Sequence, residues 1–381
     1  MKILVAGDFC PQARVQQLVD AREFQTVLGD IKKVVSKADY SIVNLECPVC
    51  FGEELPIVKC GPTLKGTDRG IEALKWAGFD CVTLANNHFF DYGDDGVKNS
   101  LNKCKELGID TVGGGMNLQE ASAILYKEID QKLLAVINCC EHEFSIATNA
   151  HGGSNPLNLV KIYYAIKEAK GKADYVLVIT HGGHEHYQLP STRMQEAYRF
   201  FIDTGADAVV NHHQHCYSGY EIYSGRPIVY GLGNFCFDEG FKNEPLWHEG
   251  YMVIIDFDKQ YALTLFPYLQ CAETPSVSLL KNRKCFDSNI DRLNIIINDP
   301  DKLISEQKRY YENYLFSYKA LLDPFSIRHV RAFQRRGWLP LFYSKKKLLQ
   351  YINYISCESH RDKLLFALTH NNKNEKESID E

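Results

Sequence analysis

The stretch TGADAVVNHHQH, residues 204–215, carries the pattern on which the reading of the fold turns. Gly205 stands where a helix would close, because a glycine at that position adopts the left-handed backbone at little cost. Ala208-Val209-Val210 then reads as a short buried strand, and it ends abruptly in His212, His213 and His215. A single histidine on an apolar face is ordinarily a satisfied core residue. Three within four positions, between a strand and a turn, point to a metal site instead.

The same unit recurs along the chain. Ile3–Ala6 ends in Gly7-Asp8, Tyr40–Val43 in Asn44-Leu45-Glu46, Cys81–Ala85 in Asn86-Asn87-His88, and Tyr175–Thr180 in His181. Strands buried on both faces appear as continuous apolar runs, and in α/β sheets the carboxyl ends of strands carry the site. The segments between them have helical periodicity: Val27, Leu28, Ile31, Val34 and Val35 share one face of 26–36, and Val97, Leu101, Cys104 and Leu107 one face of 94–107. Gly78 and Gly108 punctuate two helices as Gly205 does a third. Alternating strands and helices predict an α/β fold with much parallel pairing.

Composition narrows the function. The 381 residues are 45% apolar and 12% aromatic, enough for a large core, and the net charge of −5 argues against a nucleic-acid binder. Thirteen cysteines without a small-scaffold spacing read as reduced thiols, hence a cytosolic setting. The chain enters a strand directly at MKILVAGD, and no apolar run reaches the roughly 18–20 residues that span a bilayer. A soluble, cytoplasmic protein is expected, with a possible peripheral place at the membrane.

The motifs GD at 7–8, NLE at 44–46, ANNHFFDYG at 85–93, HGGHE at 181–185, GADAVVNHHQH at 205–215 and YGLGNFCFD at 230–238 together resemble the CapA family of capsule and poly-γ-glutamate synthesis proteins. That family is similar to the calcineurin-type metallophosphoesterases. The resemblance implies an αββα two-sheet sandwich over residues 1–270 with a dinuclear metal centre; Glu46 in place of the bridging Asp leaves a mononuclear site open as well, so one or two divalent ions of manganese, iron or zinc are expected. Asp8 and His215 would bind the first ion, Asn87, His181 and His213 the second, and Glu46 would take the bridging position. His88 would serve as acid–base residue. Asp91, three residues on, either orients that ring or is an exposed turn carboxylate. Glu185 and Asn234 are the candidate substrate contacts. Cys10 occupies the histidine position of the phosphoesterase Asp-x-His pattern and is either a soft ligand or a buried thiol. Asn211 replaces the glycine of the usual Gly-His pattern, and an asparagine tolerates a left-handed backbone.

Other features carry weaker signals. Cys47-Pro48-Val49-Cys50 is an isolated C-x-x-C, and Gly113-Gly114-Gly115, lacking a following Lys-Ser/Thr, reads as a flexible turn. Residues 271–370 read as a mainly helical extension, including a long helix over 301–322, and 371–381 as a disordered tail. From 327 to 347 basic residues interleave with aromatics: Arg328, Arg331, Phe333, Arg335, Arg336, Trp338, Phe342, Tyr343 and Lys345–Lys347. That face suits an anionic polymer or membrane surface, or is a helix docked by its aromatics. Two functions are compatible: a metal-dependent phosphoester hydrolase, acting on an anionic polymer or a phosphorylated small molecule in cell-surface polymer synthesis, and a non-catalytic assembly or binding subunit of such a system.

Overall fold

Ile3 and Val5 point to one side of the strand Lys2–Cys10 and Leu4 and Ala6 to the other, and all four are fully buried. Side chains alternate across a strand, so this strand must belong to a sheet covered on both faces. The chain, seen in a computed structural model that describes residues 1–59, 61–238, 244–321 and 327–341 with 344, 347 and 351, builds that sheet from eight strands. Lys2–Cys10, Tyr40–Leu45, Cys81–Thr83 and Asp110–Val112 pair in parallel and in that order. On the other side of Lys2–Cys10 follow Glu249–Asp256, Ala262–Gln270 and Val277–Leu279, all antiparallel, while Asn234–Phe237 runs parallel beside its carboxyl end. A second sheet of six strands has Arg226–Val229, Ala208–His212, Tyr175–His181 and Lys132–Cys140 in parallel at its centre, with Tyr220–Tyr223 and Leu125–Ile129 as antiparallel edges.

The two sheets share a core. Ile3 and Val5 belong to one buried cluster with Val136, Val178 and Val209 of the second sheet. Leu4 and Ala6 cluster instead with Val27, Leu28 and Ile31 of the helix Phe24–Val35 and with Ile71 and Leu74 of Asp68–Ala77. The second sheet is covered by Leu159–Lys170 and Thr192–Thr204 through Ile162, Ile166, Tyr198 and Phe201. The layers are helix, sheet, sheet, helix: the αββα sandwich. Gly78 (φ 97°), Gly108 (φ 61°) and Gly205 (φ 128°) close their helices with positive φ, and the N–H of Gly78 returns to Leu74.

The chain divides into two units, Met1–Ile304 and Ser305–Glu381. The sequence boundary at 270 falls inside the first. Val277–Leu279 pairs with Ala262–Gln270, and Phe286, Ile290, Leu293 and Ile297 of the helix Lys284–Ile297 are buried in the inter-sheet cluster. An apolar helix face of that size needs the sandwich to cover it. The helix expected over 301–322 runs Pro300–Leu321. In the second unit Phe333 of the short helix Arg328–Arg335 and Trp338 just beyond it form an exposed pair, with ring centroids 5.6 Å apart and the Arg336 guanidinium over Trp338. Phe342, Tyr343, Lys345, Lys346 and the tail 371–381 lie outside the described residues. No helix among the described residues is long and apolar enough to cross a membrane.

The three glycines at 113–115 form no flexible turn. Gly114–Gly115 pairs with Gly153–Ser154, and a Cβ on Gly113 would stand 1.9 Å from Asn138 Oδ1. Close packing, rather than mobility, requires glycine there.

Candidate metal centre

Every parallel strand that delivers a polar residue does so at its carboxyl end, so Asp8, Glu46, Asn87, His181, His213 and His215 all arrive on one edge of the sandwich. The backbone is shaped to allow it. A Cβ on Gly7 would lie 1.9 Å from the Gly233 carbonyl, and the Asp8 N–H donates to that same oxygen. His213 (φ 96°) and His215 (φ 55°) both adopt a left-handed backbone, an unfavourable state for histidine that persists only where the surroundings impose it. Asn211, at the position where the usual pattern has glycine, stays in the strand. Its amide donates to the carbonyls of Gly182 and Tyr230 and accepts from Thr180 and Tyr198, so the turn falls two residues later.

Two groups of ligand atoms form. Glu46, His181 and His213 make one and Asp8, Glu46 and His215 the other, each with its atoms within 4.8 Å of one another, and Glu46 is common to both. In the first group His181 Nε2 faces Asn87 Oδ1 at 3.0 Å, His213 Nδ1 at 3.1 Å and Glu46 Oε1 at 3.6 Å. Ligands about 2.1 Å from one ion and 90–109° apart are roughly 3.0–3.4 Å from each other; the first two separations match the edges of such a coordination polyhedron and the third is slightly wider. In the second group His215 Nε2 is 3.8 Å from Glu46 Oε1, and His215 Nδ1 is 3.8 Å from Asp8 Oδ2.

Electrostatics agree with the geometry. Both Glu46 oxygens are buried and have no hydrogen-bond partner among the described residues. Burial first, then the negative charge of Asp8, pushes the Glu46 carboxyl well above the usual range. Burial holds His181 well below an ordinary imidazole, with neighbouring imidazoles adding to it, and lowers His213 to about 4 and His215 to about 3. Buried polar atoms are nearly always paired; an orphaned carboxylate among neutral imidazoles is what a divalent cation would complete. The donor set, carboxylate oxygen, amide oxygen and imidazole nitrogen, fits manganese, iron or zinc.

Partners behind the ligands fix their orientation. Asn44 donates to Asp8 Oδ1 at 2.8 Å and lies 3.4 Å from His181 Nδ1. Asn234, expected as a substrate contact, is fully buried behind His215: its Oδ1 is 2.9 Å from His215 Nδ1, and its amide donates to the carbonyls of His215 and Trp247. His212 turns away, with Nε2 2.8 Å from the Ala6 carbonyl, and so ties the two sheets together. Cys10 is buried with its sulfur 3.4 Å from the Gln12 amide and joins neither ligand group.

A pocket of about 290 Å³ opens onto the site. Its wall carries His88, Asn87, Glu143, Glu185, His186 and Lys59, with His215, Phe237 and Trp247 behind. His88 Nδ1 is 2.7 Å from Asp91 Oδ2, and Asp91 is fully buried. His186 stacks on Trp247. Lys59, ion-paired with Asp91, and Glu143, 3.8 Å from His213 Nε2, were not legible in the sequence, since each lies in an irregular segment without a strand end to mark it. Burial raises the Glu143 carboxyl above its ordinary value.

The similarities to known proteins fall on this part of the chain. A family model described as bacterial capsule synthesis protein PGA_cap matches residues 2–239. The capsule biosynthesis protein CapA of Bacillus anthracis is 31% identical over 249 residues, covering 63% of this chain and 61% of that protein. The PGA biosynthesis protein CapA of Bacillus subtilis (strain 168) is 29% identical over 241 residues, covering 62% and 63%. The chain thus spans about six-tenths of the length of these curated relatives. A solved structure described as a novel phosphatase, from Mycoplasma pneumoniae, aligns with a TM-score of 0.43 at 17% identity, covering 71% of this chain and 93% of that one. Asp8, Glu46, Asn87, His181, His213 and His215 all lie within the matched span, and the chain belongs to the CapA family of bacterial capsule synthesis proteins.

Proposed function

We propose that the protein is a metal-dependent phosphoester hydrolase serving the synthesis of capsule or another anionic cell-surface polymer. The observation that carries this reading is Glu46: a buried, unpartnered carboxylate shared by two groups of ligand-type atoms. One ion would be held by Glu46, Asn87, His181 and His213, and a second, less tightly, by Asp8, Glu46 and His215. When bound, such ions supply Lewis acidity to a phosphoryl oxygen and lower the pKa of a water. The chain's own residues would do the rest. His88, with Nδ1 held by Asp91, keeps Nε2 for a proton delivered to the leaving oxygen. Glu185 and His186 on the pocket wall would sort substrates.

A second reading is a non-catalytic assembly subunit that retains the site. Cys10 favours it, because a buried thiol adds no ligand where the phosphoesterase pattern has histidine. One experiment separates the two. Protein purified without chelators or a metal-affinity tag is analysed for metal, then assayed with manganese on phosphomonoesters and phosphodiesters beside Asp8→Ala. The hydrolase reading expects one or two equivalents of metal and turnover that the variant lacks. Bound metal with turnover no greater than that of Asp8→Ala would leave the assembly role; no metal at all would sink the reading of the site.

A further inference from the structure

Residues 50–66 make a loop whose ends are drawn together by backbone bonds, Cys50 N–H to the Gly66 carbonyl and Gly66 N–H to that of Pro48. Midway, Leu55 and Val58 are exposed, yet the next side chain, Lys59, turns inward and is only 3% exposed. Its ammonium pairs with Asp91 Oδ1 and lies 3.2 Å from His88 Nδ1. We propose that Lys59 is the residue that grips the anionic oxygens of a phosphorylated substrate in this pocket, an inference that rests on the hydrolase reading and names a further binding residue for it.

Three observations support this. Among the described residues on the pocket wall, Lys59 is the one permanent cation, facing Glu143 and Glu185. An ammonium has three N–H donors. Asp91 takes one; the nearby His88 Nδ1 is itself committed to Asp91 Oδ2, so donors remain for an incoming oxyanion. The loop also does not need the ion pair in order to dock, because the Ile57 N–H donates to the Asp91 carbonyl and the Leu64 N–H to Asp91 Oδ2. A buried lysine that is dispensable for docking and placed beside the proposed proton donor is in position to bind a phosphoryl group as a point charge.

The test uses inorganic phosphate as probe. Titration calorimetry on manganese-loaded wild type, Lys59→Met and Lys59→Gln is run with metal analysis and thermal melts on the same samples. The expected result is phosphate binding roughly 10- to 100-fold weaker in both variants, with metal content unchanged. On any phosphomonoester that the wild type turns over, KM rises by more than kcat falls. Equal phosphate affinity in wild type and variants overturns the proposal, as does a metal-loaded wild type that binds no phosphate. If both variants lose metal or fold, Lys59 is a strut and the proposal falls. Absence of metal from the wild type is a separate failure, that of the site reading; phosphate binding that still depends on Lys59 would then keep the anion role alone.

Discussion

The amino and carboxyl ends of the parallel strands treat buried carboxylates in opposite ways. At the amino ends, Asp207 precedes the strand Ala208–His212 and is 1% exposed. Its Oδ2 accepts from Lys170 Nζ at 2.8 Å and the Val176 N–H at 2.9 Å, and its Oδ1 from the Tyr261 hydroxyl and Arg226. Glu221, on the antiparallel edge strand Tyr220–Tyr223, is satisfied in the same way: it accepts from Arg199 through both Nε and Nη2 and from the Tyr230 hydroxyl. At the carboxyl ends, Glu46 is as deeply buried but has no hydrogen-bond donor among the described residues, and Asp8 and Glu185 add negative charge nearby. A carboxylate saturated by cations and N–H groups holds a fold together. One left unsatisfied in a cage of neutral imidazoles weakens the fold until something positive enters it.

Substitutions at the two ends should therefore read out differently. The largest effect is expected at His88: replacement by Ala should retain metal and stability but lower turnover roughly 100- to 10,000-fold, less on substrates with an activated leaving group. Steady-state kinetics with metal analysis decides it, and a loss of metal would place His88 among the ligands. On the edge strand, Glu221→Ala should cost about 3 kcal/mol in urea unfolding, because it strands Arg199 and the buried Tyr230 hydroxyl. Metal content should not change.

Glu46→Gln should do the reverse of Glu221→Ala. With the uncompensated charge removed, the metal-free protein should gain on the order of 1–3 kcal/mol at pH 7.5 while metal uptake falls. A metal-free variant less stable than wild type would mean that Glu46 is satisfied in a way the geometry does not reveal.

The smallest effect is in pH. His213 and His215 titrate at about 4 and about 3 when folded, against about 6.5 unfolded. The unfolded chain then binds more protons as pH falls below 6.5, so each histidine withdraws stability in acid. From pH 7.5 to 6 the loss should be about 1 kcal/mol per histidine. It is best measured without metal in the Glu46→Gln background, since the raised Glu46 pKa acts in the opposite direction, withdrawing stability as pH rises. His213→Ala should flatten this slope; an unchanged slope would show that burial does not hold that ring neutral.

Much of this was legible before any coordinate. Apolar runs ending in Asp8, Glu46, Asn87, His181 and His213 announce strands buried on both faces with ligands at one end, because a short run without apolar–polar alternation has no face to give to water. The helix stops at Gly78, Gly108 and Gly205 are equally local, since a left-handed backbone is a property of the residue. Three-dimensional packing decided the remainder. Asn234 is a support of His215 because Trp247 and the Asn234–Phe237 strand close over it, and Val277–Leu279 and Lys284–Ile297 join the first unit because their apolar faces find cover there. Lys59 and Glu143 reach the pocket from irregular segments, where no periodicity records which way a side chain turns. Sequence spacing specifies what is repeated along a chain; which groups meet across hundreds of residues depends on the sum of many weak contacts, and that sum is settled only when the sheets close.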